Sequence, residues 1–189
     1  CTVTNFLAVW NNTATNGGGI YVGDGASFTA AAQPARPMRL HGNTAWHSGG
    51  GLCAEGAGST ASVAHALFGE RVNGTASPNV SHGSGNTGGG AGAALNGALL
   101  DAVNCRFVNN IASNAGGACV ANTAALTIRS DFPGIVPQPL SHLRNNRATY
   151  GGALASFNGI VTVHDAEIVS NRASAFAGAI HCVGGNERM

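Results

Sequence analysis

The sequence predicts an all-β protein: a right-handed, single-stranded parallel β-helix of about six to seven coils with loop insertions. Three observations point there. A short string, Asn-x-Ala, recurs at Asn12, Asn43, Asn110, Asn146 and Asn171, with Ser or Thr following in four of the five copies. A glycine motif and a small or aliphatic residue trail each copy, with Gly18, Gly50, Gly89, Gly117, Gly152 and Gly178 as reference points 26 to 39 residues apart. No segment keeps the 3.6-residue period of an amphipathic helix. Self-similarity at this spacing is the signature of a solenoid, in which each unit buries its apolar face only by stacking on the next.

Each element of the repeat has a physical reason. Val9, Leu40, Phe107, Leu143 and Ile168 stand three residues before a repeat asparagine and form one apolar column. Ile20, Leu52, Ala91, Cys119, Leu154 and Ile180 follow the glycines, and Val22, Ala54, Ala93, Ala121, Ser156 and Cys182 stand two further on. Two inward residues two apart are the period of a strand. A second strand set lies between the glycines and the next asparagine, clearest in Ile160–Val163 with Ala166–Val169, and again in Ala125–Ile128 and Ala98–Leu100. The Ala-rich stretch from Ala91 to Leu100 is interrupted by Gly92 and Gly97, which disfavour helix. The repeat asparagines read as an inward ladder at a tight turn, each amide bonding those above and below. The alanine two later leaves room for the turn to close, and the glycines supply positive φ or close approach. A degraded copy is expected to begin at Asn73 and to finish at Gly89-Gly90-Ala91.

Phe107-Val108-Asn109-Asn110 followed by Gly116-Gly117-Ala118 resembles the paired F-x-x-N and G-G-A-(I/L/V) motifs of the polymorphic outer membrane protein family. Gly151-Gly152-Ala153-Leu154 and Gly178-Ala179-Ile180 are similar to the second motif. One copy carries the phenylalanine, and the first three glycine motifs have glycine where alanine is usual. Similar repeats occur in bacterial autotransporter passengers and in large eukaryotic surface proteins. The resemblance implies the β-helix fold and a general adhesive or structural role, without a catalytic site.

Composition narrows the classes. At 189 residues the chain is one domain with net charge +1, 9% charged residues and no lysine. Its nine arginines are scattered along the chain, which speaks against a nucleic-acid groove. No run of 18 apolar residues exists to span a membrane. The chain opens almost directly on the first repeat and ends just after a glycine motif, so it is expected to be a segment of a longer solenoid. Cys105, Cys119 and Cys182 fall in inward columns, while Cys53 falls at an outward position and is expected to be the exposed thiol. A structural disulfide among the inward cysteines is one alternative; no pair has the C-x-x-C spacing of a zinc site. The seven histidines lie on different coils, and no cofactor or metal is expected.

Carbohydrate-active β-helices need acids clustered on one face. Here Asp24, Asp101, Asp131 and Asp165 fall in different coils, and Asp165 with Glu167 is the nearest thing to a pair on one strand. The run Gly88-Gly89-Gly90-Ala91-Gly92 lacks the Lys-Ser/Thr of a phosphate loop and belongs to the repeat. Sequons at Asn11, Asn73 and Asn79 mark possible glycosylation, with Asn73 and Asn79 expected in a loop.

Three insertions are read near 23–37, 55–86 and 129–142. The last places Phe132, Pro133, Ile135 and Val136 in a stiff apolar segment, the candidate docking loop. Trp10 and Trp46 are expected outside the corner, near the ladder. The reading that follows is a non-catalytic structural or adhesive segment of a large extracellular or surface-exposed protein, flagellar surfaces included. Its partners are other proteins or further copies of the same solenoid, with surface glycans a further class and nucleic acid excluded. The alternative is a fragment of a carbohydrate-active enzyme, lyase or hydrolase, whose catalytic coils lie elsewhere.

Overall fold

A computed structural model describes residues 1–4, 7–70, 73–131 and 141–184. The chain winds as a parallel β-helix. The first coil comprises β1 (Thr2–Val3), β2 (Ala8–Trp10), β3 (Thr13–Asn16) and β4 (Ile20–Val22). The second comprises β5 (Ser27–Ala31), β6 (Met38–His41), β7 (Thr44–Ser48) and β8 (Leu52–Glu55). The third comprises β9 (Thr60–Ala64), β10 (Ala66–Phe68), β11 (Val80–Ser81) and β12 (Gly92–Leu95). The fourth comprises β13 (Leu99–Val103), β14 (Arg106–Val108), β15 (Ile111–Ala112) and β16 (Cys119–Asn122). The fifth comprises β17 (Ala125–Arg129), β18 (Ser141–Arg144), β19 (Arg147–Tyr150) and β20 (Leu154–Phe157). The sixth comprises β21 (Ile160–His164), β22 (Ala166–Val169), β23 (Arg172–Phe176) and β24 (Ile180–Val183). Like strands stack in register into four parallel sheets of six, with no helix among the described residues.

The asparagine string was read as a turn, and here the structure differs. The residues after each repeat asparagine form the third strand of the coil, with Ala14 paired to Ala45 and Ala148 to Ala173. The small residue is needed because it faces inward beside the ladder. The turn is one residue earlier, where Asn11, Asn109, Asn145 and Ser170 hold φ between 56° and 62°. Asparagine tolerates that left-handed region better than most residues, which explains the Asn-Asn doublets.

Each coil buries one layer of a continuous core. The column predicted from Val9 onward is complete once Phe68 is added, since Leu40, Phe68, Phe107 and Leu143 align in successive layers. Phe68 and Phe107 stack with ring centroids 4.8 Å apart, and both are fully buried. The third coil shifts the predicted register by one. Gly92 and Ala94, not Ala91 and Ala93, pair with Leu52 and Ala54 and with Cys119 and Ala121. Ala93 faces outward yet is buried, in a smaller apolar cluster with Cys53, Leu95, Val120, Ala155, Phe157 and Ala115 on the outer side of the fourth sheet.

The insertions are also smaller than the sequence suggested. The middle of 23–37 is β5, and the excursion is a turn closed by the antiparallel bridge between Gln33 and Arg36. Most of 55–86 is the missing coil itself, β9 to β11, with one loop closed by the bridge between Glu70 and Ala76. A coil built on Asn79 lacks the Asn-x-Ala string, so its strands carry no such repeat signal in the sequence.

Candidate functional site

The asparagine ladder runs through Asn12, Asn43, Asn79, Asn110, Asn146 and Asn171. Each side-chain amide donates to the carbonyl oxygen of the next, at 3.1, 3.0, 3.0, 3.1 and 2.9 Å. The same oxygen accepts the backbone N–H of the preceding ladder residue, at 2.9 to 3.2 Å. The second amide hydrogen goes to a backbone carbonyl one coil back, as from Asn110 to Phe68 at 3.0 Å and from Asn146 to Phe107 at 2.8 Å. Two donors and two lone pairs are thereby satisfied in each of the inner rungs Asn43, Asn79, Asn110 and Asn146.

Asn79 corrects an expectation. It is a ladder rung, fully buried, with both amide hydrogens engaged by Leu40 and Asn110. A glycan on Asn79 is incompatible with the folded chain. The signal was present in Asn79-Val80-Ser81, where Ser81 takes the alanine position and is itself buried. Asn73 stands in an exposed turn in which its side chain accepts the N–H of Thr75 at 3.0 Å. Asn11 is exposed at its left-handed corner. The candidate docking residues Phe132, Pro133, Ile135 and Val136 lie outside the described residues.

The cysteines are placed differently from one another. Cys105 and Cys119 are inward and fully buried. Cys53 is buried too, contrary to its outward assignment, because the outer face of the fourth sheet is covered by the smaller apolar cluster. Burial pushes the Cys53 thiol up to about 12, with the charge of Glu55 adding to the shift. Burial likewise raises Cys105 to about 12, and raises Cys119 as well. Cys1, Cys53, Cys105 and Cys119 form no disulfide. Cys182 is in register with Ser156 but exposed, since the sixth coil is the last described layer.

Most acidic side chains in the described residues have partners. Glu55 accepts from Asn16, Tyr21 and Asn96 at 3.1 to 3.3 Å. Glu70 pairs with Arg106 at 2.7 Å, and Asp101 with Arg129 at 3.4 Å. Asp165 and Glu167 do not share a strand: Asp165 is the corner residue between β21 and β22, with φ 49°. Asp165 faces His164 and Glu167 faces His142, each at 2.7 Å. No group of three His, Cys, Asp or Glu able to hold a metal occurs among the described residues.

Outside the ladder lies a groove that the scattered arginines did not foretell. It follows the corner between the second and third sheets across the fourth to sixth coils and is bounded at one end by the third coil's loop, at Glu70, Gly74, Ala76 and Pro78. One part, 510 Å³, is lined by Asn109, Ile111, Asn145, Arg147, Ser170 and Arg172 among others. An adjoining part, 330 Å³, shares Asn109 and Asn145 and adds Arg106, His142, Arg144 and Glu167. Arg147 and Arg172 are in register on neighbouring strands. Among the described residues no carboxylate lies within salt-bridge distance of Arg144, Arg147 or Arg172. The repeat carries the signal once its register is known: Arg147 and Arg172 each follow a ladder asparagine, at an outward position of the third sheet.

Trp10 and Trp46 project outside, 57% and 63% exposed, and stack on His41 and His82 of the next coil. Comparison with family models, with curated proteins and with solved structures finds no match.

Proposed function

We propose that the chain is a non-catalytic structural or adhesive segment of a large extracellular or surface-exposed protein. Such a segment works through outward contacts or by joining a larger filament. One observation carries the reading: the most strongly repeated polar residues, the six rungs from Asn12 to Asn171, are spent on stacking the coils. What varies from coil to coil is the outside, including the exposed Trp10, Trp46 and Phe176. A fixed scaffold with a variable surface suits recognition more than turnover. The likeness to polymorphic outer membrane protein repeats supports the same reading.

Antibodies against this segment test it. Labelling of intact, unpermeabilised cells, or recovery of the segment from the medium, is the expected result. Labelling only after permeabilisation overturns the surface assignment.

A further inference from the structure

We propose that the corner groove over the fourth to sixth coils binds an acidic glycan, a saccharide chain bearing carboxylate or sulfate groups. The inference deepens the adhesive reading and rests on it in one respect, that the groove holds its ligand without cleaving it.

Charge is the first argument. Arg147 and Arg172 sit directly opposite each other in adjacent layers, about 4.8 Å apart along the axis by the spacing of paired strands. Like charges so placed destabilise a sheet unless an anion answers them. Arg144 adds a third guanidinium on the other wall, one residue before the corner. With no acid in reach among the described residues, three planar forks stand ready for bidentate contact with carboxylate or sulfate. Of the acids that line the groove, Glu70 is paired with Arg106, and Glu167 is held by its hydrogen bond with His142.

The floor gives the second argument. Asn109, Asn145 and Ser170 occupy successive corner positions, and each holds a left-handed backbone. Their amides and hydroxyl both donate and accept, as sugar hydroxyls do. Rows of cations flanking a floor of mixed donors and acceptors match a chain that alternates anionic groups with hydroxyls.

Other polyanions fit less well. Single-stranded nucleic acid is held by stacking bases on aromatic rings, and apart from His142, held by Glu167, no aromatic ring among the described residues lines the groove. An acidic peptide adding as a strand needs an open edge, which among the described residues only β22 and β23 offer at the far end of this corner, while β14, β18 and β19 are paired on both sides.

The test is calorimetric titration of the whole chain, at low and moderate salt, with a sulfated oligosaccharide, an oligouronate, a neutral oligosaccharide and a single-stranded oligonucleotide. The acidic saccharides are expected to bind, weakening as salt rises, and the neutral one is not. The double substitution Arg147→Gln with Arg172→Gln is expected to weaken binding at least tenfold, while Arg36→Gln, on the turn closed by Gln33, leaves it unchanged. Thermal melting of both variants checks that they are folded. Should the double substitution unfold the chain, Arg144→Gln alone is read instead, with a severalfold loss expected. No binding of either acidic saccharide, equal binding by folded groove variants, or an oligonucleotide bound as tightly overturns the proposal. Saccharide length is followed in the same samples. Binding accompanied by shortening of the chain leaves the groove standing and overturns the non-catalytic reading.

Discussion

The side-chain amide of Asn110 has two hydrogens and two lone pairs, and the fold uses them all. It donates to Phe68 and Asn146, and accepts twice from Asn79. Replacing it with leucine leaves both donors of Asn79 and the oxygen of Asn146 short of partners inside the solenoid. Asn110→Leu is therefore expected to lower unfolding stability by about 1–3 kcal/mol, read as a lower urea midpoint at unchanged slope. An unchanged midpoint contradicts the inward placement. Gly117 makes a different demand at the same scale. A Cβ there would sit 2.1 Å from the carbonyl oxygen of Gly152 in the next coil, a distance no relaxation of one side chain relieves. Gly178 holds the same position in the sixth coil, where the nearest atom is the Asn171 oxygen at 3.2 Å. Gly117→Ala is expected to cost about 3 kcal/mol and Gly178→Ala under about 1 kcal/mol. Equal losses would mean that close stacking is not what the glycine serves.

Elements add the covering of the fourth sheet, which turns an outward residue into a buried one. Cys53 on β8 and Cys105 just before β14 hold thiols pushed up to about 12, against an ordinary value of 9.0, chiefly because burial disfavours the thiolate. The sign follows directly. Both states keep the thiol neutral below about pH 9, so its contribution to stability is full there. Above that the unfolded chain releases protons that the folded chain retains, and stability is lost as pH rises toward 12. The urea midpoint is expected to fall between pH 8 and 11, and to fall less in the triple variant Cys53→Ala, Cys105→Ala, Cys119→Ala. Parallel curves contradict the burial of these thiols.

The same elements show what the sequence could and could not disclose. Columns whose residue type repeats, such as the ladder from Asn110 to Asn171 and the apolar column through Leu40 and Phe107, were legible at once. The third coil was not, because Val80-Ser81 carries the strand without alanine and Gly92 takes an aliphatic position. Pattern alone thus mistook a coil for a loop. The arginine groove was illegible for a related reason. Arg172 becomes the neighbour of Arg147, and so joins Arg144 at the corner, only when the coils are set in register. The burial of Cys53 depends on the outer-face cluster it forms with residues of other coils, such as Ala93, Leu95 and Val120, which no strand period encodes.

At the scale of the whole molecule, stability runs along one axis. Each coil touches the coils before and after it, so ladder partners are 25 to 36 residues apart in the chain. Solenoids of this kind behave as nearly one-dimensional stacks of unit and interface terms. Inner layers have two neighbours, whereas the first and sixth coils have one among the described residues. Their inward residues Val9, Ile20, Ile168 and Ile180 are accordingly only partly buried. Backbone exchange is expected to be slowest in β5 to β20 and faster in β1 to β4 and β21 to β24. Uniform protection would contradict a layered stack.

The most direct test of the stacked ladder is hydrogen exchange of side-chain amides, followed by nuclear magnetic resonance on the native chain. The amide hydrogens of Asn79, Asn110 and Asn146 are expected to exchange orders of magnitude more slowly than those of exposed Asn73. Exchange of the Asn79 amide as fast as that of Asn73 would contradict the ladder, and with it the register of the third coil.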